Sequence, residues 1–325
     1  MAKSNREVKI FLFCLLAGSF SFLFVLAQGR FSSQAMLAQI DQPASQKQTK
    51  EEKQISIQTA AKPIKRESAF ILETGAQSAL SLLIYPEKQG LQPKILFEKE
   101  IDKKLPIASV SKLMTAVVAL ENYSLQSEIK ISQEAIDQEG EAGRLDSDEI
   151  LSVENLLYVM LIESSNDAAE ALAENMGREE FIELMNQKAG SLGLENTFFV
   201  NPNGLDAENR NILNVSSALD LAKLIIYIQK NHPLIGDILS RKEFSFNSPN
   251  GQFHHNLAST NALLYNSQTL WGKTGYTKKA NGCMINLIRP QSDDDLIIIN
   301  VVLGADDRFY EMQRLTDWLN NSFIW

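Results

Sequence analysis

The pattern of apolar and polar positions predicts strands first, helices in the middle and strands last. Ala79 to Tyr85 is a β-compatible run ended by Pro86 and Gly90, and Lys94 to Glu100 supplies a second strand and hence a hairpin. Leu113, Val117 and Leu120 recur at helical spacing with Ala116 between them, so Ser109 to Asn122 reads as a helix. Val153 to Leu161 is another, with Val153, Leu156, Leu157, Met160 and Leu161 on one face. The polar run Ser164 to Asp167 breaks it, and Ala168 to Met176 follows as a new helix stopped at Gly177. Arg178 to Leu192 and Ser217 to Asn231 also read as helical, and Asn201-Pro202-Asn203-Gly204 as a turn. Leu270 to Tyr276, Gly282 to Arg289 and Leu296 to Leu303 predict three strands, with the acidic tip Asp293 to Asp295 in the last turn. A final helix, Arg308 to Ser322, buries Phe309, Met312, Leu315, Trp318 and Leu319. This order predicts an α+β fold whose antiparallel sheet is formed by both ends of the chain around a mainly helical middle.

The amino terminus follows different rules. Residues 1–9 carry Lys3, Arg6 and Lys9, and residues 10–28 are uncharged and rich in Leu and Phe. A basic flank before an apolar run of near-spanning length reads as a transmembrane signal anchor. Val25-Leu26-Ala27 also resembles a cleavage site, which keeps a signal peptide open. Either way the body is expected outside the cytoplasm: anchored at the outer face of the membrane, or released to the wall or periplasm. Residues 29–66, rich in Gln, Lys, Ser and Ala, are expected to be a disordered linker, leaving 67–325 as the folded domain.

Charge sharpens this division. Among 325 residues, 31 are Lys or Arg and 40 are Asp or Glu. The first 66 hold ten basic and four acidic side chains, so the body is strongly acidic and a poor match to nucleic acid. Two cysteines and three histidines argue against a disulfide framework and leave little for a His- or Cys-based metal site; none is expected.

Three short elements carry candidate chemistry. Ser109-Val110-Ser111-Lys112 sets a hydroxyl and an amine three residues apart on one helical face. A serine hydroxyl needs a base to become a nucleophile, and a lysine serves if burial or a nearby cation lowers its pKa. Ser164-Ser165-Asn166 lies between two helices, where a loop can aim a second hydroxyl and an amide into a cleft. Lys273-Thr274-Gly275, on an edge strand, offers a cation and a hydroxyl for a carboxylate and a residue without side chain for close approach. Each alone is weak. In this order, 55 and then 109 residues apart, they match the S-x-x-K, S-x-N and K-T-G set of penicillin-interacting serine enzymes.

With the segments 106–116, 164–169, 199–206 and 272–277, the chain resembles the low-molecular-mass penicillin-binding proteins, the serine D-alanyl-D-alanine carboxypeptidases. The resemblance implies a β-lactamase/transpeptidase-like fold. It implies Ser109, Lys112 and Ser164 as catalytic residues, with Ser164 linked to both Lys112 and Lys273. It also implies Asn166, Lys273, Thr274, Gly275 and Tyr276 as substrate-binding residues and no cofactor. The implied substrates are peptidoglycan stem peptides, with β-lactams as covalent inhibitors. A D,D-endopeptidase acting on cross-links would use the same residues. A β-lactamase is disfavoured because no Glu-x-x-Leu-Asn element stands between the second and third motifs, and a non-catalytic wall-binding protein because Ser109 and Lys112 are both present. Asn203 stands where the family usually has histidine and reads as a loop variation. No arginine lies between Arg241 and Lys273, so carboxylate binding is expected to rest on Lys273 and Thr274.

Overall fold

The computed structural model describes residues 63–86, 91–140, 143–206, 213–248, 251–290 and 296–325. The basic and apolar segments of the amino terminus, nearly all of the linker and the acidic tip 291–295 lie outside the described residues. No helix among the described residues is long and apolar enough to cross a membrane. At the end of the linker, Ile64–Lys65 pairs with Phe323–Ile324 as a two-residue antiparallel bridge.

The central sheet has five antiparallel strands: β1 (Ser78–Ile84), β2 (Lys94–Lys99), β3 (Thr269–Thr277), β4 (Asn281–Ile288) and β5 (Ile297–Ala305). Their order is β3-β4-β5-β1-β2, so the amino-terminal hairpin pairs directly with the last strand, as the pattern of the sequence predicts. The register sets Ser81 against Asn300, whose side chains hydrogen-bond at 2.6 Å in the interior. Both faces of the sheet are covered, which is why β5 is buried throughout. Ile298 and Val302 face the carboxy-terminal helix α7 (Arg308–Ser322) with Met284, Met312, Leu315 and Trp318. Ile297, Ile299, Val301 and Leu303 join the larger core with the helical half.

That half contains α1 (Lys112–Asn122), α2 (Val153–Ile162), α3 (Asn166–Glu174), α4 (Arg178–Ser191), α5 (Ala218–Asn231) and α6 (Pro233–Leu239). Local chemistry fixes the helix starts. Ser152, Ser165 and Ser217 each cap a helix by accepting from the backbone three residues on. Three elements depart from the expected pattern. Ser109 is not in the α-helix: Ala108–Ser111 is a 3-10 turn that leads into α1. Asn166 and Asp167 do not break the chain but open α3. A hairpin of Glu243–Asn247 and Phe253–Ala258 stands in a stretch that is assigned no element from the sequence.

Candidate active site

The site forms where the 3-10 turn, the α2–α3 loop and the edge strand β3 meet. Two glycines flank the Ala108–Ser109 peptide. Gly204, with φ +86°, comes so close that a Cβ there would stand 2.1 Å from the Ala108 carbonyl oxygen. Gly275 lies along β3, where a Cβ would stand 3.0 Å from both the Ile107 oxygen and the Ser109 nitrogen. Ala108 (φ +48°) and Ser164 (φ +64°) are both left-handed although neither is glycine. Such strain persists only where the surroundings impose it, and it concentrates at functional sites.

The turn below is tied down by amides. Asn201 and Asn214 hydrogen-bond each other, and Gly204 N–H donates to Asn201 Oδ1 at 2.7 Å. Thr115, one helical turn after Lys112, donates to the Pro202 carbonyl at 2.6 Å. This places the Asn203 carbonyl over Lys112, whose Nζ lies 2.6 Å from it, 2.7 Å from Asn166 Oδ1 and 2.9 Å from Ser109 Oγ. Two of these three partners are carbonyl oxygens, which only accept. A neutral lysine has two N–H bonds and one lone pair. With both N–H bonds directed to the carbonyls, the lone pair is left for the Ser109 hydroxyl proton. Lys112 is fully buried, and its pKa is held well below the lysine range by desolvation and then by the Lys273 charge, opposed by Asp167.

Lys273 is also buried. Its Nζ donates to Ser164 Oγ at 2.7 Å and to the Thr274 carbonyl at 3.0 Å. Desolvation, then the charge of Arg308, lowers its pKa to about 7. Thr274 Oγ1 is 2.8 Å from Thr260 Oγ1, and the Thr260 N–H donates to the Ile162 carbonyl, linking β3 to the end of α2 just before Ser164. Asn166 donates from Nδ2 to the Glu139 carbonyl, so its amide is fixed at both ends. A cavity of about 390 Å³ opens beside Asn203, lined also by Asp137, Glu139, Arg178, Leu205 and Asp206.

Ser109, Lys112, Ser164, Asn166, Lys273, Thr274 and Gly275 are thus brought together, with Tyr276 at the outer end of the cluster and 59% exposed. Two expectations change. Ser164 is hydrogen-bonded to Lys273 and not to Lys112, because Asn166 and Asn203 take up the N–H bonds of Lys112. Asn203 is more than a loop variation: its carbonyl holds Lys112, and its buried amide donates to Gln138 and Glu170. Arg308, at the start of α7, was not singled out by any motif. Its buried Nε has no hydrogen-bond partner, and its charge acts on Lys273. A guanidinium that follows Lys273 in the chain thus lies near enough to lower its pKa. No three His, Cys, Asp or Glu among the described residues are placed to hold a metal ion.

Residues 69–307 match the Peptidase S11 family, D-alanyl-D-alanine carboxypeptidase. The chain belongs to that family. A D-alanyl-D-alanine endopeptidase of Escherichia coli K12 is 32% identical over 239 residues, 71% of this chain and 74% of that one. One from Pseudomonas aeruginosa is 31% identical, with 75% of this chain and 78% of that one covered. Among solved structures, penicillin-binding protein D2 of Listeria monocytogenes in its ampicillin-bound form aligns with TM-score 0.62 and 30% identity, over 77% of this chain and 99% of that one. All eight residues expected in a D-alanyl-D-alanine peptidase site fall inside the family match, and Arg308 falls one residue beyond it.

Proposed function

We propose that the protein is a serine-type D-alanyl-D-alanine carboxypeptidase that removes the terminal D-alanine of peptidoglycan stem peptides through an acyl-enzyme on Ser109. The observation that carries this is the Lys112 Nζ to Ser109 Oγ contact of 2.9 Å, in a site whose other two Lys112 contacts are carbonyls. Neutral Lys112 takes the hydroxyl proton as Ser109 Oγ bonds to the penultimate D-Ala carbonyl carbon. The oxyanion forms between the N–H groups of Ser109 and Tyr276. The C–N bond breaks, and Ser164 hands its proton to the departing amine and takes another from Lys273, to which it is hydrogen-bonded. Water then cleaves the ester, giving a proton back to Lys273 through Ser164, while Lys112 returns its proton to Ser109 Oγ. Asn166 orients the peptide backbone, while Lys273, Thr274 and Arg308 present two cations and a hydroxyl to the terminal carboxylate. β-Lactams acylate Ser109 as mimics of the D-Ala-D-Ala unit. The body works at the outer face of the membrane, tethered through residues 10–28 or released if that segment is cleaved.

The test combines fluorescent penicillin labelling, peptide mapping of the adduct and measurement of D-alanine release. Labelling should map to Ser109 and vanish in a folded Ser109→Ala protein. Labelling that persists there defeats the assignment. A second reading, a D,D-endopeptidase cutting cross-links, is favoured by the names of the two bacterial relatives. Faster cleavage of a cross-linked dimer than of a D-Ala-D-Ala monomer would establish it.

A further inference from the structure

The buried charges around Ser109 include one carboxylate that the steps above leave without work. Asp167 follows Asn166 in the first turn of α3, is 6% exposed, and its Oδ1 has no hydrogen-bond partner. An ionised carboxylate in such a place is costly unless a cation answers it. Its own backbone N–H answers part of that cost, and Lys112 answers more once it becomes an ammonium on taking the Ser109 proton: each acts on the other's proton affinity, and all three hydrogen-bond partners of Lys112 are neutral.

Charges on the neighbouring elements are occupied elsewhere or lie at the surface. In α3 itself, Glu170 is paired with Arg178 and accepts from Asn203, and Glu174 accepts from Ser132. From α2, Glu163 faces His255 and Glu154 accepts from Gln126. From α1, Glu121 is paired with Lys188. Lys130 is paired with Asp148, and Glu128 beside it is exposed, as are Asp137 and Glu139 near the start of α3 and Glu179 and Glu180 on α4. Of the cations, Lys273 acts on Lys112, and Arg308 acts on Lys273.

We propose that Asp167 is the counter-ion that governs when Lys112 is free to take the proton of Ser109. It is a positioning residue acting through Lys112, and the inference rests on the reading of Lys112 as base. A nearby carboxylate favours the ammonium, so it makes Lys112 a stronger base that is available over a narrower pH range. It also stabilises the charge that appears on Lys112 as Ser109 attacks. Burial raises the Asp167 pKa to about 6, so this control operates above that pH and fades below it.

The experiment is the pH dependence of the second-order rate of acylation by benzylpenicillin, in the full-length protein and in Asp167→Asn. Acylation falls on the acid side as Lys112 gains a proton. Removing an opposite charge should move that limb down by about 1 pH unit. At one unit below the wild-type midpoint, the variant's rate relative to its own plateau should then be about fivefold the wild type's. The plateau itself should fall a few-fold, because a weaker base drives the attack less. Asp167→Glu, which restores the charge, should return the limb towards its wild-type position. A capping role alone would lower the rate equally at every pH and leave the midpoint in place, and that result overturns the proposal. Should Asp167→Asn fail to fold, the coupling is read in reverse, since linkage is reciprocal. The 13C signal of the Asp167 carboxyl should titrate at higher pH in Lys112→Ala than in wild type, and an unchanged titration overturns the proposal as well. If the wild type has no acid limb, or its adduct is not on Ser109, it is the proposed function that fails.

Discussion

Replacing Gly204 with alanine tests whether the Asn201–Gly204 turn holds the nucleophile. Two costs add at this position. The backbone is left-handed at φ +86°, which costs an alanine roughly 1–2 kcal/mol. The new Cβ also overlaps the Ala108 carbonyl oxygen at 2.1 Å and carbon at 2.4 Å, backbone atoms that cannot rotate away. Overpacking of this kind costs about 1–3 kcal/mol. At roughly 2–4 °C per kcal/mol for a domain of this size, the melting temperature should fall by at least ~4 °C. The clash is relieved by pushing Ala108 and Ser109 away from the turn, and a displacement of order 1 Å at a reacting group costs about 100-fold in rate. Gly275→Ala is the internal control. Its φ is not left-handed and its closest approach is 3.0 Å, so only a shift of a few tenths of an ångström is needed, with smaller losses in both measurements. Thermal melts followed by circular dichroism and the acylation rate with fluorescent penicillin read the two effects separately. A Gly204→Ala protein with the wild-type melting temperature and an acylation rate within twofold of wild type would refute the close packing on which this reasoning depends.

Two further outcomes concern the carboxylate end of the site. Lys273→Ala should slow D-alanine release by roughly 30-fold or more, the loss of one partner of a desolvated charge pair. In the wild type, the kcat/KM preference for a free-acid peptide over its amide should weaken as pH rises through about 7, where Lys273 loses its proton. A preference that stays flat from roughly pH 6 to 9 in this assay argues against carboxylate binding by Lys273. Arg308→Ala removes the cation that depresses the Lys273 pKa, so this alkaline decline should move to higher pH while KM for the free acid rises. An unmoved decline would show that Arg308 does not act on Lys273.

The sequence made the framework legible where side-chain periodicity carries the information. Val153–Ile162 and Arg308–Ser322 emerge close to their predicted bounds because a continuous apolar face requires a helix. The three motifs were readable because each chemical task restricts the residue type. What escaped was set by tertiary contact. Nothing local to Ala108–Ser111 announces a 3-10 turn, which follows from Gly204 and Gly275 closing on the peptide from two directions. The Asn203 carbonyl is invisible for another reason: a backbone acceptor has no residue signature, and its position over Lys112 depends on Asn201, Asn214 and Thr115. Arg308 looked like the first residue of an amphipathic helix, and only the meeting of α7 with β4 brings it to Lys273. There, Gly282 lets the helix start approach, since a Cβ would stand 2.9 Å from Arg308 Cβ.

The strand order has a consequence for when this protein acquires its chemistry. β1 sits between β5 and β2, so the edge of the sheet that holds Lys273 is joined to the amino-terminal hairpin only through β4 and β5. Ser81 and Asn300, hydrogen-bonded in the finished sheet, are separated by 219 positions in the chain. Pairings of such sequence separation form late and slowly. A chain emerging amino terminus first has Ser109 and Lys112 in hand long before it has β5 to anchor the sheet or Arg308 to complete the charge cluster. The nucleophile therefore lacks its full surroundings while the chain is being made, and its reactivity switches on with the closing of the last strand.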